Sequence, residues 1–132
     1  MKVALVAAVA LLIPASALAG PAGKWRVGDG TAIVQIKDCA GGLCGAIAWT
    51  ADKDGRDDNN PDPRQRNRQL VGLPMLRLEK KGENLWSGDV YNAKNGQNYS
   101  ARLTQKSDAQ ITLEGCVPGT NLCGEDSWTR VK

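Results

Sequence analysis

A two-residue alternation of apolar and polar side chains recurs from Lys24 to the end of the chain, and no helical period competes with it. Trp25 and Val27 alternate with Lys24 and Arg26, and Ala32, Val34 and Ile36 with Ile33, Gln35 and Lys37. Leu43, Gly45, Ile47 and Trp49 share one face of the next stretch. Further on, the inward sets are Leu76 and Leu78, then Trp86, Gly88 and Val90, then Tyr99, Ala101 and Leu103, then Ile111, Leu113 and Gly115, and last Trp128 and Arg130. Turn residues separate the segments, with Gly28-Asp29-Gly30 and Asn95-Gly96 as hairpin signals. About eight short strands of period two predict an all-β fold. A single up-and-down antiparallel barrel accommodates such a set without exposed edges.

Ahead of the strands the chain reads differently. Met1-Lys2 is a short positive start, Val3 to Ile13 is an apolar run too short to span a bilayer, and Pro14 interrupts it. Ala17-Leu18-Ala19 has the small-x-small form of a cleavage site. Residues 1–19 therefore read as a signal peptide, and residues 20–132 as one domain, periplasmic or secreted. Removing Lys2 lowers the formal charge from +3 to +2. That balance is no nucleic-acid signature, and no second apolar run is present to span a membrane.

A domain of this size often needs covalent staples, and four cysteines in an exported chain predict disulfides. Cys39 and Cys44 flank a Gly-rich turn, and Cys116 and Cys123 flank Pro118-Gly119. Local bridges are the economical pairing, each contributing roughly 2 kcal/mol by chain entropy. The repeated Cys-Gly-x-x-x-Trp of Cys44 to Trp49 and Cys123 to Trp128 favours the same pairing. A zinc site is disfavoured by the spacing and by the absence of histidine.

One stretch breaks the pattern. Asp52 to Leu70 is a connection of nineteen residues with five acids and five bases, long for a compact barrel. Asp52-x-Asp54-Gly55-x-Asp57 resembles the start of a calcium loop, but the glycine is misplaced and Pro63 stands where a bidentate Glu is needed. A solvated turn on Asp54-Gly55 is the favoured reading, with no metal and no cofactor. Asn60-Pro61-Asp62-Pro63 stiffens the middle. Arg64, Arg66 and Arg68 alternate, so an extended backbone would align three guanidiniums to grip an anion; pairing with the loop's own Asp57, Asp58 and Asp62 is the competing reading.

In an eight-strand meander alternate turns share an end. The turns at Gly28–Gly30, 52–70, 92–96 and 116–123 then fringe one rim, with the Cys39–Cys44 turn at the other. Barrels of eight strands are either filled by side chains or hold one small ligand. Here large inward residues (Trp25, Trp49, Trp86, Trp128) mix with small ones (Gly45, Gly88, Ala101, Gly115), which leaves both outcomes open.

Gly23-Lys24-Trp25 and the terminal Trp128-Thr129-Arg130 resemble the lipocalin and calycin signature, in which an Arg of the last strand packs the Trp of the first. From Gly23 to Val131 the chain is also similar to a family of small exported bacterial proteins known only as a domain of unknown function. That similarity rests on Leu43-Cys44-Gly45, Asn59-Asn60-Pro61-Asp62-Pro63, Leu70-Val71-Gly72-Leu73 and Trp128-Thr129-Arg130. One departure is Gln69, where the family often has Pro. The resemblance implies a lipocalin-like barrel, with Trp128 and Arg130 as structural residues, and no particular activity.

With no histidine and its thiols paired, the chain offers no catalytic constellation. The expected function is non-enzymatic binding of a small apolar or amphipathic ligand at the barrel mouth. Trp25, Trp49, Trp86, Arg64, Arg66 and Arg68 are the candidate ligand residues. The alternative is a protein-interaction module, such as an inhibitor, that uses the 52–70 loop to hold a protein partner.

Overall fold

The computed structural model describes residues 18–132; all but the end of the signal-peptide segment, residues 1–17, lies outside them. Eight strands follow one another: β1 (Gly23–Arg26), β2 (Ala32–Cys39), β3 (Gly42–Thr50), β4 (Pro74–Gly82), β5 (Leu85–Asn92), β6 (Gln97–Gln105), β7 (Gln110–Cys116) and β8 (Cys123–Val131). Each is antiparallel to its sequence neighbour, and β8 pairs back onto β1, so the sheet closes into an up-and-down barrel. Closure leaves no unpaired edge. The expected order of turns holds. The β1–β2, β3–β4, β5–β6 and β7–β8 connections share one end, called the mouth below, and the Cys39–Cys44 turn lies at the other, closed end.

Both disulfides are local, Cys39–Cys44 and Cys116–Cys123. Each staples the turn between two adjacent strands.

The inward face of the closed half is a continuous apolar core. Trp25, Ile36, Leu43, Leu78, Leu103 and Ile111 are all but fully buried, with Trp86 beside them. Burying each such side chain stabilises by roughly 1.5–3 kcal/mol relative to leaving it in water. Arg130 closes this end. Its guanidinium stacks 4.3 Å from the centre of the Trp25 ring and donates to the backbone oxygens of Gly20, Ala22 and Asp108. The Trp25 indole N–H donates to the oxygen of Pro21 at 2.8 Å. Gly23 is required beside this clamp: it has φ +136°, and a Cβ there would lie 2.6 Å from the Arg130 Nη1. The Gly-x-Trp and distal Arg of the sequence thus meet as the resemblance implied.

One inward assignment is corrected. Trp49 does not face the interior. Between Ile33↔Trp49 and Val34↔Ile47 the β2–β3 register shifts by one residue, with Ala48 as the extra residue. A single added residue exchanges the two faces downstream. Ile47, ahead of the bulge, points in with Leu43 and Gly45; beyond it Thr50 takes the next inward place, and Trp49 emerges 41% exposed on the outer surface, where the Arg26 guanidinium lies 5.6 Å from its ring.

Candidate ligand site at the barrel mouth

Above Trp128 the interior is not filled. A cavity of about 930 Å³ opens between the strands at the mouth. Its walls are Val34 of β2, Ile47 of β3, Met75 of β4, Val90 of β5, Tyr99 of β6 and Leu113 with Gly115 of β7. Trp128 of β8 also lines it and is itself buried. The strand period places these residues: each is separated by an even step from a core residue deeper in the same strand, as Leu113 is from Ile111, Val90 from Trp86 and Ile47 from Leu43, except Met75 of β4, which is the extra residue of a local bulge. Around the lip lie Val27, Leu70 and Leu122, the last 71% exposed in the disulfide-closed turn.

Polar groups gather toward the lip and are unevenly charged, with Asp29, Asp52, Glu125 and Asp126 against Lys94. Asp126 pairs with Leu113 across β7–β8 and so points inward, toward the cavity. Its Oδ2 accepts the Trp128 indole N–H at 2.8 Å and the Gly28 amide at 3.1 Å. Asp29, in the β1–β2 turn, forms an ion pair with Lys94 in the β5–β6 turn, which lies opposite around the rim of an eight-strand barrel. Hydrogen bonds from Lys94, then from Thr31, hold the Asp29 carboxyl well below the usual carboxylate range.

The long loop folds onto this rim and spends its charges on itself. At its base Arg56 bridges to Gln69, with the Asp57 amide donating to the Arg68 oxygen and the Leu70 amide to the Gly55 oxygen. The amide of residue 69 takes no part in those bonds, so Gln69 in place of the family's Pro leaves the base of the loop intact. Asp57 is completely buried. Its carboxylate accepts from Tyr91 Oη at 2.6 Å, Asn60 Nδ2 at 2.8 Å and Arg68 Nη2 at 2.8 Å. Burial alone would raise its pKa, but these three donors outweigh it and keep Asp57 below its ordinary value. Burial and the neighbouring carboxylate push Tyr91 up to about 12. On the far side Asn59 donates to the Lys94 oxygen at 2.9 Å. Gly96, with φ +71°, allows that approach, since a Cβ there would fall 1.8 Å from the Asn59 oxygen.

The aligned arginine face does not form. Pro63–Gln65 is a turn of 3-10 helix capped by Asp62, so the backbone is not extended there. Arg64 pairs with Asp62, Arg66 donates to the Asn60 oxygen and Arg68 turns to Asp57. Arg64 holds the Asp62 carboxyl below its usual value. Self-pairing, the competing reading, describes the loop. Nor do its acids converge on a cation: Asp57 is fully engaged, and the Asp52 carboxylate accepts the Asp54 amide. Among the described residues, one group of three potential metal ligands lies close together, Glu114 with Cys116 and Cys123, and those two sulfurs are joined to each other.

None of the six candidate ligand residues lines the cavity. Trp25 and Trp86 belong to the closed core, with Lys80 over the Trp86 ring, Trp49 lies outside, and the three arginines are bound within the loop. Trp128, assigned a structural role, is the tryptophan that the cavity reaches. Asp126 was missed although it is readable: it stands two residues before Trp128 on the same face.

Residues 23–130 match the family described as "Uncharacterized protein conserved in bacteria (DUF2147)". Among solved structures the chain is similar to protein HP1028 from the human pathogen Helicobacter pylori, which belongs to the lipocalin family. The TM-score is 0.74 at 21% identity, covering 84% of this chain and 82% of that one. A redesigned β-barrel is a more distant likeness, with a TM-score of 0.47 and 12% identity over 84% of this chain and 90% of that chain. No curated protein matches the sequence. The Helicobacter likeness shows a lipocalin-like fold.

Proposed function

The chain belongs to this uncharacterized bacterial family, and we propose that it acts outside the cytoplasm as a non-enzymatic binder of a small apolar or amphipathic molecule. The observation that carries the reading is the 930 Å³ mouth cavity with apolar walls. Ligand pockets typically measure about 300–1,000 Å³ and combine apolar lining with a few placed polar groups. The closed end supplies a rigid floor, and the loop is pinned at Asp57 and Asn59 rather than left free to recruit a partner. Export is supported by the leader pattern of residues 1–19 and by two disulfides, which persist in oxidising compartments.

Native mass spectrometry of the protein from the envelope fraction of an expressing cell tests both parts. The expected spectrum is a chain beginning at Gly20, with two disulfides and an organic adduct that leaves on collisional activation. A bare chain that also fails to take up an added apolar fluorophore would overturn the binding reading. A chain retaining residues 1–19 would overturn export.

A further inference from the structure

The cavity makes the site; the charges around it select the occupant. Four carboxylates line it or its lip (Asp29, Asp52, Glu125 and Asp126), against one cation, Lys94, already paired with Asp29. This negative mouth is not inherited from composition, since the chain as a whole carries +3. Asp126 differs from the other three. The β7–β8 register turns it inward, and its Oδ2 is fixed by the Trp128 indole and the Gly28 amide. Its Oδ1 has no hydrogen-bond partner among the described residues. Asp126 is itself exposed to solvent, but the apolar wall on its inner side focuses its field, so it attracts a cation more strongly than a carboxylate surrounded by water. An anionic head group would meet the same field as repulsion, and among the described residues no unpaired lysine or arginine lines the cavity to receive it.

Resting on the ligand reading above, we propose that the occupant is a cationic amphiphile. Its apolar body lies against Ile47, Met75, Val90 and Leu113, and its protonated amine is held by Asp126 beside the Trp128 indole. A fatty acid or other anionic lipid is disfavoured by the same arrangement.

Titration calorimetry with three probes of equal chain length, all below their micellar range, tests this on the unaltered protein: decylamine (protonated at pH 7), decanol and decanoate. The expected order is decylamine tightest, by about ten-fold over decanol, as a charge-assisted hydrogen bond in such a setting provides, and decanoate weakest. The preference for the amine should shrink as salt is raised. In Asp126→Asn, which keeps an acceptor for the indole and the Gly28 amide, the amine preference should fall to about two-fold. Binding of decanol or decanoate as tightly as decylamine would overturn the head-group inference and leave the ligand reading standing. Failure of all three to bind would overturn both. An amine preference that survives Asp126→Asn in a folded variant would overturn the assignment to Asp126.

Discussion

At the closed end Trp25, Leu43, Leu78, Leu103 and Ile111 bury one another almost completely, whereas toward the mouth Ile47, Val90 and Leu113, still largely buried, border a cavity that also reaches the half-buried Met75 and Tyr99. The strand period is the same at both ends. What differs is the size of the inward residues and what caps them. Two tryptophans, Trp25 and Trp86, crowd the lower half, and Arg130 ties the first strand to the last and to the chain before it. Gly115 and the open lip around Leu122 leave the upper half unfilled. The largest side chains are thereby concentrated at one end, and the cavity lies at the other.

Substitutions at the two ends test that contrast. The largest effect is expected at the closed end. Trp25→Ala should destabilise the fold by about 3–5 kcal/mol, the cost of an aromatic cavity in a packed core, and urea unfolding measures it. A loss below about 1 kcal/mol would mean that the closed end is not where stability resides.

Next comes the loop anchor. Asp57→Ala would strand Arg68, Asn60 and the Tyr91 hydroxyl, at a cost of about 3 kcal/mol. Because the folded state holds Asp57 below its ordinary pKa, its contribution is fully present above the unfolded carboxylate value of about 3.9 and is lost as pH falls through that value toward the folded one. Denaturation midpoints of the wild type should therefore drop below about pH 4 more steeply than those of Asp57→Asn. Equal slopes would show that the buried carboxylate is not the group responsible.

A mouth substitution should separate binding from stability. The Cβ at Gly115 would meet only ordinary contacts, the nearest Tyr99 Cβ at 3.5 Å, so Gly115→Phe should extend into the cavity with a stability change of about 1 kcal/mol or less. Uptake of an apolar fluorophore should nonetheless be lost. Retained uptake would place the ligand elsewhere.

The smallest effects belong to the outside. Trp49→Ala and Arg64→Ala should each shift stability by about 0.5 kcal/mol or less and leave probe binding unchanged, since one ring is exposed and the other pair is a surface ion pair. A larger binding loss in Trp49→Ala would point to a contact surface on the outer face of β3.

Trp25 and Trp49 show how far the sequence could be read. Both sit in alternating apolar strands, and the alternation predicts an inward position for each. For Trp25 the period, the Gly-x-Trp spacing and the distal Arg130 agree, and the structure follows. For Trp49 the local pattern continues unbroken, but the one-residue bulge at Ala48 is imposed by pairing with β2. Nothing local marks it. The arginines of the loop tell the same story: their two-residue spacing is real, yet Pro63 and the Asp62 cap coil the backbone there, and the buried Asp57 draws Arg68 away from the others.

The all-β class, the eight strands, the turns that share a rim and the two local disulfides are all legible in the chain, because they follow from alternation and from turn residues close together. The packed lower half and the cavity above it, the outward Trp49 and the placement of Asp126 at the cavity emerge only from the folded barrel. Those outcomes depend on register between strands and on the volumes that meet across the barrel, and residues far apart in sequence set both.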